Sequence, residues 1–376
     1  MKYKIINRKK LFATSLLDII GYSVFWPFKI FRRKKEIDRK IREILIIRTA
    51  YLGDIIMTLP ILKPLKETFP QAKISFIASK QGSELLKGNP YIDTIYGLNP
   101  FWFYKSSLAE YLGFIRRIRQ KKYDLVIEAR GDIRELWLIV YLLKSRFRLS
   151  YGFGGGAYLL THVVPFTEIK HRVEYHLDLI RYLGCVADGI EWGVYLKREE
   201  KEHVRWILKT NGITKPFISV HPGARLPLKR WSVNRYADLC DMMVEEWEAP
   251  IVLLGSEDER ELVDDIMNCM KHTPVNLAGM MNLRELAGFL SESTLFVCND
   301  SAPMHIASAV GTSTVAIFGP SKSIETGPYG INCKVVEKEF PCRFTCDEST
   351  CKHKVYQECM KAITPDDVFT AVKGLK

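Results

Sequence analysis

The stretch from Leu295 to Pro320 reads LFVCNDSAPMHIASAVGTSTVAIFGP and predicts a strand, an acidic turn, a short helix and a second strand. Its two apolar runs, Leu295 to Cys298 and Val315 to Phe318, have the length and β-branched content of parallel strands buried on both faces. Between them, Asp300 and Ser301 occupy the position of a helix cap. The stretch therefore predicts one α/β unit.

The predicted helix start in this unit also suits an anionic ligand. A helix that begins at the carboxyl end of a parallel strand presents free backbone N–H groups and the positive end of its dipole. That arrangement fits a phosphate or pyrophosphate, and Asp300 beside it suits either a helix cap or the hydroxyl groups of a sugar. A plain capped helix in an α/β core is the alternative that these residues leave open.

Outward from this unit, short apolar strands alternate with helical stretches in two series that begin at Ile41. Such alternation predicts two doubly wound, mostly parallel sheets in Rossmann-like halves, with a linker near residues 200–215. We expect a segment 1–40, a first domain 41–205 and a second domain 206–376. The remaining predicted strands are Ile44 to Ile47, Ile74 to Ala78, Leu125 to Ile127, Phe217 to Val220 and Ile251 to Leu254. Helices are predicted after Asp54, around Gly82 to Lys87 and from Ile133 to Leu143.

The positive charge of the chain is concentrated at its N-terminus. Residues 1–42 hold thirteen Lys or Arg against three Asp or Glu, which accounts for +10 of the net charge of +12. The remaining residues are nearly neutral, so the composition does not indicate a nucleic-acid partner.

The basic residues flank an apolar stretch from Leu11 to Phe31, which Asp18, Pro27 and Lys29 interrupt. A membrane span needs about 20 largely apolar residues, so we favour a helix that lies on the membrane surface, with flanking cations that attract anionic lipid. In this interpretation Phe12, Leu16, Ile19 and Ile20 share one helical face, and Trp26 and Phe28 lie at the headgroup level. The alternative is an ordinary first helix packed on the body.

Several other sites are disfavoured by the sequence. The glycines of Gly152-Phe153-Gly154-Gly155-Gly156 follow no clear strand and precede no acidic residue at the distance of a dinucleotide fingerprint. No phosphate-binding P-loop motif and no convincing Asp-x-Asp metal motif is present, so we expect no metal cofactor. Three interpretations of the tail cysteines stay open. In order of preference they are reduced thiols, a tetrahedral metal site completed by His353, and disulfides. They are Cys342, Cys346, Cys351 and Cys359.

Three separated blocks carry a resemblance to a known family. They are IREILIIRTAYLGDIIMTLPILKPLKETFPQAKISFIAS at 41–79, HPGARLPLKRW at 221–231, and NLAGMMNLRELAGFLSES at 276–293 with NDSAPMHIASAVGTSTVAIFGPS at 299–321 and TGPYG at 326–330. In this order they resemble the family 9 glycosyltransferases, the lipopolysaccharide heptosyltransferases and their relatives. The resemblance runs from about Ile41 to the C-terminus and implies a GT-B fold, with two Rossmann-like domains facing a cleft.

The resemblance implies an inverting, metal-independent transfer of a heptose or related sugar from a nucleotide-sugar donor to a lipid-linked oligosaccharide of the lipopolysaccharide core. ADP-heptose is the expected donor, and the expected location is the inner face of the cytoplasmic membrane. Two alternatives are a family member that uses another nucleotide sugar for a different surface glycan, and a nucleotide-sugar binding protein without turnover.

The resemblance also assigns roles to residues. It implies that Asp54 is the general base for the acceptor hydroxyl and that the adjacent Gly53 belongs to the donor-binding residues. It also implies that Lys229 neutralises the leaving pyrophosphate with help from Arg225. Read without the family, Asp54 is equally a helix N-cap. Glu257 is expected to bind the ribose hydroxyls of the donor. The rest of the donor site is expected to consist of Asp300, Ser301, Ala302, where relatives usually carry Gly, and His305.

Acceptor recognition is expected in the first half. Glu128, Arg130, Asp132 and Arg134 follow the strand Leu125 to Ile127, and the arginines suit a phosphorylated or acidic sugar. A solvated charge run is the alternative for these four residues.

Overall fold

A computed structural model describes residues 3–4, 8–30, 36–38, 40–344, 346 and 348–375, without the side chains of 26–30 and 344. The chain forms two compact units, Met1–Gly193 and Val194–Lys376. Each unit contains its own six-stranded sheet.

The first unit is built on a parallel sheet with strand order β3-β2-β1-β4-β5-β6. Its strands are β1 (Glu43–Arg48), β2 (Lys73–Ala78), β3 (Thr94–Gly97), β4 (Lys122–Glu128), β5 (Lys144–Tyr151) and β6 (His162–Val164). Its helices are α1 (Arg8–Ile30), α2 (Leu52–Thr58), α3 (Leu62–Thr68), α4 (Lys80–Leu85), α5 (Leu108–Ile118), α6 (Ile133–Glu135) and α7 (Arg172–Arg181).

The second unit repeats this plan, with strand order β12-β11-β10-β7-β8-β9. Its strands are parallel and comprise β7 (Ile218–His221), β8 (Ile251–Leu253), β9 (Val275–Asn276), β10 (Leu295–Asn299), β11 (Thr314–Phe318) and β12 (Cys333–Glu337). Its helices are α8 (Arg198–Thr210), α9 (Val233–Trp247), α10 (Arg260–Cys269), α11 (Leu283–Glu292), α12 (Ala302–Val310), α13 (Ser323–Thr326), α14 (Glu358–Lys361) and α15 (Pro365–Lys373).

Both sheets confirm the doubly wound α/β prediction, since each has the strand order 3-2-1-4-5-6 when its own strands are counted. The quoted stretch forms β10, α12 and β11, and every residue of the two strands is buried. The predicted helix at Ile133 is shorter than expected, because α6 passes into a π-helical turn at Leu136–Val140.

The predicted linker near 200–215 is wrong. Residues 198–210 form helix α8 of the second unit, and the division between the units lies at residues 193–194 rather than 205–206. Helix α8 contains many charged residues, but it also has a narrow apolar stripe. Val204, Ile207 and Leu208 form this stripe, and their spacing places them on one buried face. This face packs on α11, where a methyl group on Gly288 would meet the Val204 side chain at 2.9 Å.

Helix α1 packs on the first unit. Its Asp18 is only 3% exposed and accepts hydrogen bonds from the Gly156 amide and the Tyr3 hydroxyl, both at 2.8 Å. Gly21 allows the Tyr158 ring to approach so closely that a Cβ at this position would lie 2.2 Å from a ring carbon. The packed first helix, which the sequence left as the alternative, is therefore present.

The glycine-rich stretch serves this contact. Gly155 and Gly156 have φ angles of +88° and +78°, in the left-handed region that favours glycine. A Cβ on Gly155 would lie 2.4 Å from Thr14 of α1. The expectation that no clear strand precedes these glycines is wrong, because strand β5 ends at Tyr151, directly before Gly152. The glycines nevertheless form a turn that receives helix α1.

The opposite side of α1 is apolar and exposed. Phe12 and Ile19 are 73% and 65% exposed. The other exposed apolar side chains of α1 are Leu16, Leu17, Ile20, Tyr22 and Val24. The side chains of Trp26 and Phe28 and the basic run 32–35 lie outside the described residues. Among the helices that the structure describes, none has the length and apolarity required to cross a membrane.

Candidate active site

The first group of predicted residues lies where the strand order of the first sheet reverses. Strand β1 pairs with β2 on one side and β4 on the other. In open α/β sheets this switch point, at the carboxyl ends of the strands, is the usual place for a ligand. Helix α2, which carries Gly53 and Asp54, begins there directly after β1.

Asp54 is buried and surrounded by arginines. Its Oδ1 atom lies 2.7 Å from Nη2 of Arg48 and also forms an ion pair with Nη1 of Arg172, while its Oδ2 accepts the Tyr51 amide at 2.9 Å. Burial favours the neutral acid, but the charges of Arg172, Arg48 and Arg130 outweigh it and hold the pKa of Asp54 well below its usual value. The carboxylate is ionised at neutral pH.

Asp54 is not the N-cap of α2. The cap position is Tyr51, and Asp54 is the third helical residue, from which its carboxylate reaches back to the Tyr51 amide. The chain enters the helix earlier than the Gly-Asp pair indicated, because Leu52 and Gly53 already form its first turn.

Glu128 occupies a structural position instead of facing an acceptor. It is fully buried and accepts hydrogen bonds from the amides of Arg130 and Gly131, at 3.0 and 2.7 Å, and from the Ser150 hydroxyl at 2.5 Å. Burial and the neighbouring Glu135 carboxylate raise its pKa well above the usual value. The expectation of direct acceptor contact by Glu128 is wrong, because its oxygens hold the turn that presents Arg130.

The other three residues of the predicted acceptor set are partly accessible and lie together. The guanidinium carbons of Arg130 and Arg134 lie 4.1 and 4.4 Å from the centroid of the Phe103 ring. Asp132 caps α6 and pairs with Arg134 at 2.7 Å. Arg130 also donates to the Ala50 carbonyl at 3.0 Å, which places it beside the start of α2. These groups form a cationic, aromatic surface near Asp54.

In the second unit, Lys229 lies between two carboxylates. Its Nζ atom is 2.6 Å from Oδ2 of Asp300 and 2.7 Å from Oε2 of Glu348. Burial disfavours the charged ammonium, but these two carboxylates outweigh it and raise the pKa of Lys229. Lys229 follows β7 and Asp300 follows β10, so this pair also lies at a switch point, between strands that pair directly.

Helix α12 begins beside this pair. Ser301 is at the N-cap position, but its hydroxyl makes no capping bond, and its Oγ is buried without a hydrogen-bond partner. The expected Asp300 cap is likewise not formed, since its Oδ2 accepts from Lys229 and Ser321 instead. Ala302 is the first helical residue and His305, 6% exposed, lies on the buried face of α12. The helix start has a polar hydroxyl that is not used within the protein.

Two glutamates follow β8 with different surroundings. Glu257 is exposed, pairs with Arg260 at 3.0 Å and covers Gly279, where a Cβ would lie 2.4 Å from its Oε2. Glu259 lies 3.3 Å from His221, and although burial opposes it, this contact lowers the pKa of Glu259 to about 2. Arg225, predicted to assist Lys229, is an exposed residue of the intervening loop.

The C-terminal tail adjoins Lys229. All nine cysteines are free thiols, and the four tail cysteines and His353 line one cavity of about 40 Å³ that Leu228 borders. Within the described part of the chain no three His, Cys, Asp or Glu residues are grouped so as to hold a metal ion. From this tail, Gln357 Nε2 donates to the carbonyls of Pro227, Leu228 and Arg230, at 3.2, 3.2 and 2.8 Å, and fixes the turn of Lys229.

Two parallel Rossmann-like sheets, with an ionised carboxylate at one switch point and a partly buried lysine at the other, are typical of the GT-B class of glycosyltransferases. The family model of glycosyltransferase family 9 (heptosyltransferase) matches residues 111–356. The chain belongs to that family, and it is a glycosyltransferase.

Curated relatives and solved structures agree with this membership. The chain is 25% identical to lipopolysaccharide heptosyltransferase 3 of Escherichia coli K12, over 86% of this chain and 95% of the relative. It is 27% identical to lipooligosaccharide heptosyltransferase 2 of Campylobacter jejuni, over 89% and 99%. The fold is similar to a family 9 glycosyltransferase from Veillonella parvula (TM-score 0.76, 20% identity, 91% and 98% covered). It is also similar to E. coli ADP-heptose lps heptosyltransferase II (TM-score 0.70, 22% identity, 89% and 98% covered).

The sequence did not single out Arg48, Arg172 or His221. Arg48 ends a strand and Arg172 begins a helix 118 residues away from Asp54, so only the fold brings them to the carboxylate. No spacing motif in the sequence indicates that these two arginines contact the same aspartate. His221 stands in the quoted HPGARLPLKRW block, and its contact with Glu259 could have been suspected only from the strand order.

Proposed function

We propose that this protein transfers a heptose from ADP-heptose to an acceptor of the lipopolysaccharide core type, with inversion at the anomeric carbon and without a metal ion. The curated relatives support the sugar and acceptor class, since their names describe lipopolysaccharide and lipooligosaccharide heptosyltransferases. The observation that carries the proposal is the buried, ionised Asp54 at the switch point of the first sheet.

In the proposed reaction, Asp54 accepts the proton of the acceptor hydroxyl as its oxygen attacks the anomeric carbon. The new carbon–oxygen bond forms on the face opposite to the leaving ADP, whose bond to the sugar breaks, and a single displacement of this kind inverts the configuration. Lys229 stabilises the charge that develops on the pyrophosphate. This role replaces the Lewis acid that a metal-dependent transferase needs.

The donor is proposed to bind at the start of α12. The unpartnered Ser301 hydroxyl and the helix N-terminus suit its phosphates, with Ala302 and His305 beside them. Asp300 orients Lys229. Glu257, exposed over Gly279, is proposed to accept the ribose hydroxyls, and Arg225 to assist at the phosphates. On the acceptor side, Arg130 and Arg134 bind an anionic sugar across the Phe103 ring, with Asp132 holding Arg134.

Calorimetric titration with ADP, UDP and GDP, followed by a transfer assay, tests the proposal. We expect selective ADP binding and transfer from ADP-heptose. Selective UDP or GDP binding would favour the alternative of another nucleotide sugar and a different surface glycan. The variant Asp54→Asn should lose transfer while it still binds ADP, whereas turnover equal to that of the original protein would contradict the assignment of Asp54 as the base. ADP binding without any transfer in the original protein would favour a binding protein.

We also propose that α1 holds the enzyme on the inner face of the cytoplasmic membrane. Its exposed apolar side and the exposed Arg8, Lys9 and Lys10 suit a surface with anionic lipids. The variant Leu16→Glu/Ile20→Glu should no longer sediment with vesicles that contain phosphatidylglycerol. The control Leu108→Glu/Leu112→Glu changes two equally exposed leucines of α5 and should sediment normally. Equal sedimentation of both variants would contradict the proposal.

A further inference from the structure

The two arginines that contact Asp54 differ in accessibility. Both reach the same oxygen, Oδ1. The Arg48 side chain is 2% exposed at the end of β1, and its Nη1 also donates to the Ala129 carbonyl at 3.4 Å. The Arg172 side chain is 37% exposed and lies at the first residue of α7. Arg48 is therefore a fixed part of the protein interior, while Arg172 can also meet a ligand.

We propose that Arg172 is shared between Asp54 and an anionic group of the acceptor, so that acceptor binding draws this cation away from the carboxylate and makes Asp54 a stronger base. The inference rests on the proposed role of Asp54. It names the substrate class more closely: the acceptor has a phosphate or carboxylate within reach of Arg172 when its hydroxyl is at Asp54.

The charged surroundings of Asp54 leave Arg172 as the group that can respond. Arg130 is proposed to meet the acceptor as well, but it donates to the Ala50 carbonyl and lies against the Phe103 ring, so it can bind an anion without giving up an ion pair with Asp54. His176, on the buried face of α7, contacts the Met57 and Ala129 carbonyls at 2.8 and 3.0 Å, and burial lowers its pKa to about 3, so it is neutral. Two further ionisable groups lie in these surroundings: Glu135, whose charge only partly offsets the lowering of the Arg48 pKa by burial, and the partly buried Tyr104.

The chemistry of guanidinium groups supports this sharing. Arginine binds phosphates and carboxylates through two parallel hydrogen bonds, so an acceptor anion competes directly with Asp54 for Arg172. A carboxylate that keeps three cations nearby is a weak base, because each cation stabilises its ionised form. Loss of one cation on acceptor binding raises its proton affinity at the moment when the hydroxyl arrives.

The test compares Arg172→Gln and Arg172→Lys with Arg181→Gln, a control on the same helix whose side chain pairs with Glu174 and Asp178 away from Asp54. The assay uses ADP-heptose and truncated lipopolysaccharide purified from a strain that lacks the enzyme. Arg172→Gln should raise the acceptor KM at least about tenfold, the loss expected for one charge-assisted hydrogen bond. Arg172→Lys should restore part of it, and Arg181→Gln should leave it unchanged.

The pH profile separates this role from a merely structural one. In the original protein the acid limb of kcat should lie at higher pH than that of kcat/KM, because kcat reports the acceptor complex. In Arg172→Gln both limbs should coincide, at higher pH than the original kcat/KM limb. Equal acceptor KM values in Arg172→Gln and the original protein, or a preserved gap between the limbs, would overturn the proposal.

A binding measurement keeps the inference separate from the proposed base. In Asp54→Asn, Arg172 loses its charged partner, so this variant should bind the truncated lipopolysaccharide more tightly than the original protein in calorimetry. Weaker or unchanged binding would contradict sharing, even if Asp54→Asn is inactive as the proposed function requires. Treatment of the acceptor with phosphatase identifies the anion: loss of the Arg172 dependence indicates a phosphate, and its retention indicates a sugar carboxylate.

Discussion

The contact between Gly21 and Tyr158 gives a prediction with a defined sign. Both Gly21 and Gly113 lie inside helices, α1 and α5, where replacing Gly by Ala ordinarily stabilises by roughly 0.5–1 kcal/mol. A Cβ on Gly113 meets no atom within 4 Å, whereas one on Gly21 would lie 2.2, 2.3 and 2.6 Å from three carbons of the Tyr158 ring. The ring has to move, and overpacking of this kind costs about 1–3 kcal/mol.

Movement of this ring also disturbs its partners. Tyr158 accepts a hydrogen bond from Trp137 Nε1 at 2.9 Å and lies 5.5 Å from the rings of both Tyr22 and Phe25 in α1. With about 2 kcal/mol from the middle of the overpacking range, and after the helix-propensity gain is subtracted, Gly21→Ala should weaken the attachment of α1 by about 1–1.5 kcal/mol. Amide hydrogen exchange measures this directly, since such a loss makes opening roughly 5–13 times more frequent.

We therefore expect the amides of α1 to exchange faster in Gly21→Ala, by that factor, with α5 unchanged. In Gly113→Ala the amides of α5 should exchange more slowly and those of α1 as before. Equal or slower exchange of the α1 amides in Gly21→Ala would contradict this prediction, because it would mean that the helix does not depend on this close approach.

Three further predictions concern single groups. Folding lowers the pKa of His176 to about 3, so the unfolded chain binds one more proton than the folded chain between about pH 3 and 6.5. The free energy of unfolding therefore decreases as the pH falls through this window. In melts between pH 7 and 5, His176→Gln should show a weaker decrease of this free energy with falling pH, by up to about 1.4 kcal/mol per pH unit. Lys229→Met should lower kcat by a factor of about 100 or more, while Lys215→Met, at an exposed ion pair with Glu292, should retain activity. Glu257→Gln should weaken ADP binding in calorimetry and the neighbouring Asp258→Asn should not; equal effects would argue against a specific ribose contact.

Much of the fold was readable from the sequence because parallel strands buried on both faces appear as uninterrupted apolar runs. The runs around Ile44 and Leu295 differ from the observed strands only at their ends. Helix α8 was not recognised, because three apolar residues among many charged ones were read as a solvated segment. The apolar stripe of α8 is buried because it packs on α11, and this tertiary contact is not visible in the sequence.

The sequence predicts the site residues that stand in a motif at the end of a strand. It does not predict contacts between residues that are far apart in the chain and that only the fold brings together. Asp54, Lys229 and Asp300 stand in the quoted blocks, and each lies at a switch point of its sheet. The prediction for Glu128 was wrong because its position at the end of a strand indicates only that it is near the site, whereas its partners include Ser150 in the next strand, which the sequence does not pair with it. The partners of Asp54 required the positions of β1 and α7, which are far apart in the chain.

The hydrogen bonds from Gln357 to the carbonyls around Lys229 come from a residue outside the region that the family model matches. The family model ends at residue 356, one position before this glutamine. The Trp231 indole and the Arg235 guanidinium also donate to the Ile363 carbonyl, beyond the same limit. A chain trimmed to residues 111–356 would keep Lys229 with its Asp300 and Glu348 partners but lose the hydrogen bonds that Gln357 makes to the turn around it. The residues beyond position 356 thus support the turn that carries the proposed phosphate-binding lysine.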